Sequence, residues 1–129
     1  MEKSKFLEVA IEAAKNAEKI IMKYYDNNLT WQKKLDLSPV TIADTEAEKV
    51  IIETIRSSFS DHSFLGEEFG NDNITSKYQW IIDPIDGTKN YIRKIPLFAT
   101  QIALMENGEI ILGVSNAPAM NELIYAEKG

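Results

Sequence analysis

The sequence has no cysteine and only one histidine, His62, among its 129 residues. Without cysteine, disulfides, thiolate metal sites and cysteine nucleophiles are excluded. With a single histidine, a zinc site or a Ser-His-Asp triad is not expected. We expect His62, beside Asp61 at a helix-to-strand turn, to lie at the surface. No apolar run approaches the roughly 18 consecutive residues that a membrane span needs, and the start of the chain does not resemble a secretory signal.

Basic residues are also few, with 14 Lys and Arg against 20 Asp and Glu, which gives a net charge of -6. Sequence-independent nucleic-acid binding needs clustered Lys and Arg, so we expect no nucleic-acid partner. The hydrophobic share of 44% is ordinary for a globular protein and is enough for one modest core. We therefore expect a cytoplasmic domain without a membrane partner.

The hydrophobic periodicity predicts two helices followed by a sheet. Apolar residues recur at helical spacing from Ser4 to about Tyr25 and again from about Asp44 to Phe59. Thr45 and Glu48 have the form of a capping box at the start of the second helix. The Asn-Gly pair at 107–108 predicts a tight hairpin. Five segments are predicted as strands: Ser63–Leu65, Tyr78–Ile82, Phe98–Met105, Ile110–Ser115 and Glu122–Ala126.

This order of elements predicts an α+β fold, with two N-terminal helices packed on a largely antiparallel sheet. Acidic residues lie where the predicted elements begin or end. Asp44 is expected to open the second helix, Glu67 and Glu68 follow a short strand, and Asp83 and Asp86 follow the next strand. Loops held on strand ends are where catalytic groups concentrate, so these acids are candidates for a site.

The segment Asp83–Thr88 combines two acids with a proline and a glycine that shape a turn. We expect the carboxylates of Asp83 and Asp86 and the carbonyl of Ile85 to face one side. With a nearby glutamate they form an all-oxygen set of the kind that Mg²⁺ accepts. The backbone N–H groups that follow, at the start of a helical turn, would bind an anion. On residue chemistry alone, a surface turn capped by its own Asp side chains stays open.

Three motifs, in this order along the chain, resemble the inositol monophosphatase superfamily of Mg²⁺-dependent, lithium-sensitive phosphatases. They are Ser38-Pro-Val-Thr-Ile-Ala-Asp44, Leu65-Gly-Glu-Glu68 and Trp80-Ile-Ile-Asp-Pro-Ile-Asp-Gly-Thr-Lys-Asn-Tyr91. Within the superfamily, the histidinol-phosphate phosphatase subgroup is the most similar. Its features here are Lys34-x-Asp36-x-Ser38, Gly66-Glu-Glu-Phe-Gly70, Ser115-Asn-Ala-Pro118 and the Lys after Gly-Thr.

The resemblance implies the N-terminal half of a layered αβαβα sugar-phosphatase fold, which hydrolyses phosphate monoesters with two or three Mg²⁺ ions. Carried over by position, the metal ligands would be Glu67, Asp83, Asp86 and the Ile85 carbonyl. Glu67 would also belong to the catalytic set.

The same resemblance implies that Thr88 and Asp44 orient and deprotonate the attacking water, and that the N–H groups of Gly87 and Thr88 hold the phosphate. Glu68 and Lys34 would lie just outside the metal ligands. The expected substrate is a small phosphorylated metabolite, and a homodimer is expected.

The sequence departs from the family pattern in one respect: the later Trp-Asp-x-x-Ala-Gly motif does not occur, because Trp31 and Trp80 are followed by Gln and Ile. We therefore expect residues 1–129 to be the N-terminal metal- and phosphate-binding lobe, without the C-terminal lobe. Alone, it is expected to bind Mg²⁺ weakly and turn over little substrate. Two alternatives to a histidinol-phosphatase stay open: an inositol-1-monophosphatase, and a non-catalytic metal-binding half-lobe.

Overall fold

The fold, seen in a computed structural model, is described for residues 2–27 and 39–129, with side chains from residue 42 onward in the second segment. Two long helices come first, α1 (Lys5–Asp26) and α2 (Pro39–Ser58). The elements that follow are β1 (Ser63–Gly66), β2 (Gly70–Asn71), β3 (Tyr78–Asp86), α3 (Thr88–Ile92), β4 (Ala99–Glu106), β5 (Glu109–Ala117), a 3₁₀ turn (Pro118–Met120) and β6 (Glu122–Glu127). None of the helices in this described part is long and apolar enough to span a membrane.

Helix α1 begins where its sequence predicts, because Ser4 caps it. The Ser4 hydroxyl accepts a hydrogen bond from the N–H of Leu7 at 3.1 Å, which satisfies one of the free donors of the first turn. Its buried face, which packs on α2 and on the sheet, carries four alanines: Ala10, Ala13, Ala14 and Ala17. A hydrogen bond from Asn16 Nδ2 to Thr54 Oγ1 at 3.1 Å joins the two helices.

Helix α2 begins at Pro39, not near Asp44 as predicted. Proline suits the first helical turn because its missing N–H would have no acceptor there. Asp44 therefore lies inside the helix, and the capping box predicted for Thr45 and Glu48 is wrong. Asp44 and Glu48 instead lie one turn apart on the buried side of α2.

The sheet has six strands in the order β2-β1-β3-β4-β5-β6. All neighbouring pairs are antiparallel except β1 and β3, which are parallel, so the predicted α+β fold with a largely antiparallel sheet is confirmed. The predicted hairpin is also present: Asn107 and Gly108 join β4 to β5 with φ of 51° and 84°. Strand β3 runs on to Asp86, past the predicted end at Ile82.

One face of the sheet packs on α1 and α2 and forms the core. It contributes six alternating apolar side chains that are almost fully buried: Trp80, Ile82, Ile102, Leu104, Leu112 and Val114. His62 lies in this core with 4% of its surface exposed, so the prediction that it lies at the surface is wrong. It is buried because its Nδ1 accepts a hydrogen bond of 3.0 Å from Trp80 Nε1, and a buried indole N–H needs an acceptor.

The opposite face of the sheet carries a shallow groove of about 370 Å³. Its floor includes Ile81, Ala103 and Gly113, and Ile124 on β6 is 60% exposed beside it. Asp83 lies in the same groove. The acidic residue thus stands at the boundary between an apolar sheet face and the carboxyl end of β3.

Candidate metal and phosphate site

The parallel pairing of β1 and β3 brings Glu67 and Asp83 together. Gly66 is in register with Ile82, so Glu67, which follows β1, lies level with Asp83 of β3. The N–H of Glu67 donates to the Ile82 carbonyl at 3.3 Å and continues the ladder by one bond. Catalytic and binding groups concentrate on loops at such strand ends.

A β-bulge at the end of β3 sets the direction of the two aspartates. The register of β3 against β4 shifts between Asp83 and Asp86, and a bulge re-aims the side chains around it. Pro84 is fully buried, and its carbonyl accepts a hydrogen bond of 2.8 Å from Thr100 Oγ1. With this residue fixed inward, Asp83 is half-buried and Asp86 is exposed, within 3.3 Å of Gln101 Nε2.

Gly87 turns the chain from the bulge into α3. Its φ is 97°, in the left-handed region, and a Cβ there would lie 2.9 Å from the carbonyl oxygen of Leu97. Both facts require glycine. The Thr88 hydroxyl donates to the Ile85 carbonyl at 3.2 Å, which leaves its oxygen lone pairs available to accept. The first N–H groups of α3 have no intrahelical acceptors.

Asp44 reaches the same site from α2, where its exposed fraction is 9%. Burial, and after it the nearby charges of Glu68, Glu67 and Asp83, raise the pKa of Asp44 from its ordinary value of 3.8 to about 7. Burial also raises the pKa of Asp83 to about 7, with Glu67 as the next cause. The pKa of Glu68 is raised by burial and by the charges of neighbouring glutamates. The site therefore concentrates negative charge that a bound cation would neutralise.

The residues present fit a hard divalent cation. Asp83 Oδ1 is buried and has no hydrogen-bond partner, and a buried carboxylate oxygen without a partner is costly. The donor atoms around it are all oxygen, which suits Mg²⁺. Within residues 2–27 and 39–129, no three acidic or histidine side chains form a ready metal cage, and Mg²⁺ usually keeps several waters instead of filling such a cage.

Most of the predicted site residues meet in the structure. Asp44, Glu67, Glu68 and Asp83 interact electrostatically, while Ile85, Asp86, Gly87 and Thr88 follow on the bulge and the turn after it. Lys34 lies outside the described residues. The sequence analysis missed Glu48, whose carboxylate is completely buried and accepts from two backbone N–H groups beside Glu67. Its position in the sequence could have indicated burial, because it lies four residues after Asp44 and three before the buried Ile51, on the same side of a helix.

Known proteins match this chain in sequence and in structure. The model for the inositol monophosphatase family matches residues 2–129. A histidinol-phosphatase of Chlorobaculum parvum is 42% identical over 124 residues, 95% of this chain and 48% of the relative. The Nus factor SuhB of Pasteurella multocida is 39% identical over 126 residues, 95% of this chain and 47% of the relative.

Among solved structures, the inositol monophosphatase of Anabaena (Nostoc) sp. PCC 7120 superposes with a TM-score of 0.82 and 38% identity, over 96% of this chain and 44% of that one. The fold is thus that of inositol-monophosphatase-family structures over about half of their length. The chain belongs to the inositol monophosphatase family. Members of this family are phosphatases and are generally metal-dependent, and the chain spans about half the length of the curated relatives it matches.

Proposed function

We propose that the chain is the metal- and phosphate-binding lobe of a phosphatase that hydrolyses a small phosphate monoester, with histidinol phosphate, an intermediate of histidine biosynthesis, as the substrate. The observation that carries the proposal is the buried, unpartnered Oδ1 of Asp83 at the β3 bulge. It lies beside Glu67, because β1 before Glu67 and β3 around Asp83 are parallel neighbouring strands. A cation is the partner that this oxygen lacks.

The proposed ligands for Mg²⁺ are the carboxylates of Glu67, Asp83 and Asp86 and the carbonyl of Ile85, which together would hold two or three ions. When bound, Mg²⁺ supplies Lewis acidity, which lowers the pKa of a coordinated water and neutralises charge on the phosphate. The Ile85 carbonyl already accepts the Thr88 hydroxyl, but a carbonyl oxygen has a second lone pair. Glu68 and Lys34 are proposed to tune the charge around these ligands.

Asp44 is proposed as the general base. Its carboxylate reaches the site from α2 and lies close to Glu67 and Asp83, where it could accept a proton from the attacking water. The Thr88 hydroxyl would accept a hydrogen bond from the same water and so orient it, because its own proton is used by Ile85. The N–H groups of Gly87 and Thr88 would hold the phosphate oxygens at the start of α3.

The choice of histidinol phosphate over inositol 1-phosphate depends on two observations. Lys89 follows the Gly-Thr pair, where inositol phosphatases more often carry a second threonine. The Chlorobaculum parvum relative is named a histidinol-phosphatase. The alternative, an inositol-1-monophosphatase, is favoured by the similarity to the solved inositol monophosphatase from Anabaena.

A half-swap chimera tests the activity. Residues 1–129 are joined to the matching second half of the Chlorobaculum parvum relative, and phosphate release is measured with histidinol phosphate and inositol 1-phosphate, with and without Mg²⁺. We expect Mg²⁺-dependent release, faster with histidinol phosphate, that is lost when Asp83→Asn is introduced. A folded chimera that releases no phosphate from either compound would contradict the proposed function. The chain alone is expected to release little.

The non-catalytic half-lobe is the second candidate, and the exposed groove beside Ile124 and Tyr125 favours it. Large apolar groups left exposed together often mark an interface. Such a module would self-associate through this face, whereas the proposed homodimer belongs to the whole enzyme. Sedimentation of the chain across a concentration series distinguishes them: a strictly monomeric, well-folded chain would count against the assembly module. The cytoplasmic location stays a prediction.

A further inference from the structure

Glu48 is a buried acid that the proposed chemistry does not use. Its exposed fraction is 0%, and none of the Lys, Arg and His side chains in segments 2–27 and 42–129 forms a salt bridge with it. Its Oε1 accepts from the N–H of Glu68 at 3.0 Å, and its Oε2 accepts from the N–H of Phe69 at 2.9 Å. Both oxygens therefore have backbone donors, which compensates for the burial of the carboxylate.

Gly66 provides the space for this carboxylate. A Cβ at Gly66 would lie 2.0 Å from Glu48 Oε2 and 2.9 Å from Oε1, far inside van der Waals contact. The φ of Gly66 is not in the left-handed region, so backbone conformation does not require glycine here. The requirement is steric, because the three atoms nearest to this Cβ position all belong to the carboxyl group of Glu48.

These contacts fix the backbone on both sides of the Glu67 side chain. On one side, the N–H of Glu67 donates to the Ile82 carbonyl of β3. On the other, the next two N–H groups donate to Glu48. Glu67 is thus held between β3 and α2, and the same helix carries Asp44 one turn before Glu48.

We infer that Glu48 is a positioning residue, which fixes the segment 66–69 so that the Glu67 carboxylate stands beside Asp83 and can share a cation with it. This inference rests on the proposed metal site. Glu48 acts through the segment it holds, because its two oxygens are already occupied by amides and are not free to bind a cation.

The first test is made without metal. Amide hydrogen exchange is followed by NMR in the 129-residue chain and in its Glu48→Gln and Glu53→Gln variants. Glutamine keeps the shape of Glu48 but offers one acceptor and one N–H₂ donor, so one amide must face a donor. We expect exchange at Glu68 or Phe69 to be at least tenfold faster in Glu48→Gln and unchanged in Glu53→Gln, which removes the same charge from an exposed position of the same helix. Unchanged protection of both amides in Glu48→Gln would overturn the inference.

The second test is a double-mutant cycle read by calorimetric titration with Mg²⁺, far below the unfolding temperature. Gly66→Ala alone is expected to weaken Mg²⁺ binding at least tenfold, because the new methyl group displaces the Glu48 carboxylate. In a Glu48→Ala background, adding Gly66→Ala is expected to change the affinity less than about threefold. If the effects of Gly66→Ala and Glu48→Ala on the Mg²⁺ affinity simply add, a steric link between Gly66 and Glu48 is contradicted.

Calorimetric titration of wild type, Glu48→Gln and Glu53→Gln with Mg²⁺ separates this inference from the proposed function. If wild type, Glu53→Gln and Glu48→Gln all bind Mg²⁺ equally well, the positioning role is wrong and the metal site stands. If neither wild type nor control binds Mg²⁺, the proposed metal site is wrong, and the positioning role falls with it whatever the exchange rates show.

Discussion

Glu67 and Asp83 stand side by side because β1, which ends just before Glu67, and β3, which contains Asp83, are parallel neighbours in register. Burial raises the cost of ionising Asp83, and the neighbouring Glu67 raises it further. The metal-free site is therefore an unfavourable arrangement of charge. A cation between these groups would offset this unfavourable charge, so pH should affect the metal-free and the Mg²⁺-bound chain differently.

The stability of the metal-free chain should fall as the pH rises from about 4 to about 7. The pKa values of Asp44 and Asp83 are raised from 3.8 to about 7, so in this window the folded state keeps protons that the unfolded chain has released. Stability falls with pH wherever the folded state binds more protons. Urea unfolding followed by tryptophan fluorescence at several pH values measures the effect.

Mg²⁺ should stabilise the chain at pH 8 and have little effect at pH 5, because the ion binds the ionised carboxylates. A ligand at a hundredfold its Kd adds about 2.7 kcal/mol. His62 has the opposite effect on stability. Burial lowers its pKa from the ordinary value of 6.5, so below that pH the unfolded chain takes up the proton more readily and is favoured. The control for the pH dependence is urea unfolding of the Asp44→Asn/Asp83→Asn variant at the same pH values without metal. Its stability should change less between pH 4 and 7 than that of wild type. An equal change would refute the assignment of the raised pKa values to these two carboxylates.

Gly87→Ala should destabilise the chain and weaken phosphate binding. The substitution places a Cβ 2.9 Å from the Leu97 carbonyl oxygen in a left-handed conformation, and such strain costs about 1–3 kcal/mol. Gly108→Ala is the matched control, since Gly108 also has positive φ but has no atom within 4 Å of its Cβ position. Urea unfolding should show the larger loss at Gly87, and only Gly87→Ala should weaken inorganic phosphate binding in the presence of Mg²⁺. Equal losses at both glycines would mean that the close approach is unimportant.

His62→Phe should destabilise the chain although it keeps an aromatic ring in the core. Phenylalanine cannot accept the hydrogen bond from Trp80 Nε1, and a buried donor without a partner costs about 1–3 kcal/mol. Urea unfolding measures the loss, and the exposed Asp61→Asn should stay within about 0.5 kcal/mol of wild type. If His62→Phe matched wild type, the hydrogen bond would contribute nothing to stability.

Asp44→Asn should separate catalysis from metal binding. In the half-swap chimera, we expect phosphate release to fall by about 10²-fold or more, the usual contribution of a general base, while the Mg²⁺ affinity stays within a fewfold of the parent chimera. Calorimetry and a phosphate-release assay measure the two quantities on the same preparation. An affinity that falls in proportion to the rate would make Asp44 a metal ligand instead.

Much of the fold could be predicted from the sequence because its signals are local. The periodicity of α1, the strand segments and the Asn107-Gly108 turn depend on neighbouring residues only, and all are present. The start of α2 could not be read reliably, since Pro39 is compatible both with a loop and with a first helical turn. The parallel pairing of β1 with β3 depends on contacts between distant segments, which periodicity does not report.

The candidate site could be predicted in part for the same reason. The Asp83–Thr88 segment shows its acids, proline and glycine in one short stretch. The burial of His62 depends on Trp80, and the role of Glu48 depends on Gly66 and on amides twenty residues later. Each needs a partner that only the folded chain brings close. Sequence patterns single out acids at the ends of elements, whereas Glu48 lies in the middle of a helix.

The measurement that tests the central claim most directly is calorimetric titration of the 129-residue chain with Mg²⁺ at pH 8. We compare wild type, Asp83→Asn and the exposed control Asp61→Asn. The account predicts that wild type and Asp61→Asn bind Mg²⁺ with the same, weak affinity, and that Asp83→Asn loses at least tenfold. Equal binding by all three chains would show that the oxygen buried at the β3 bulge does not hold the metal.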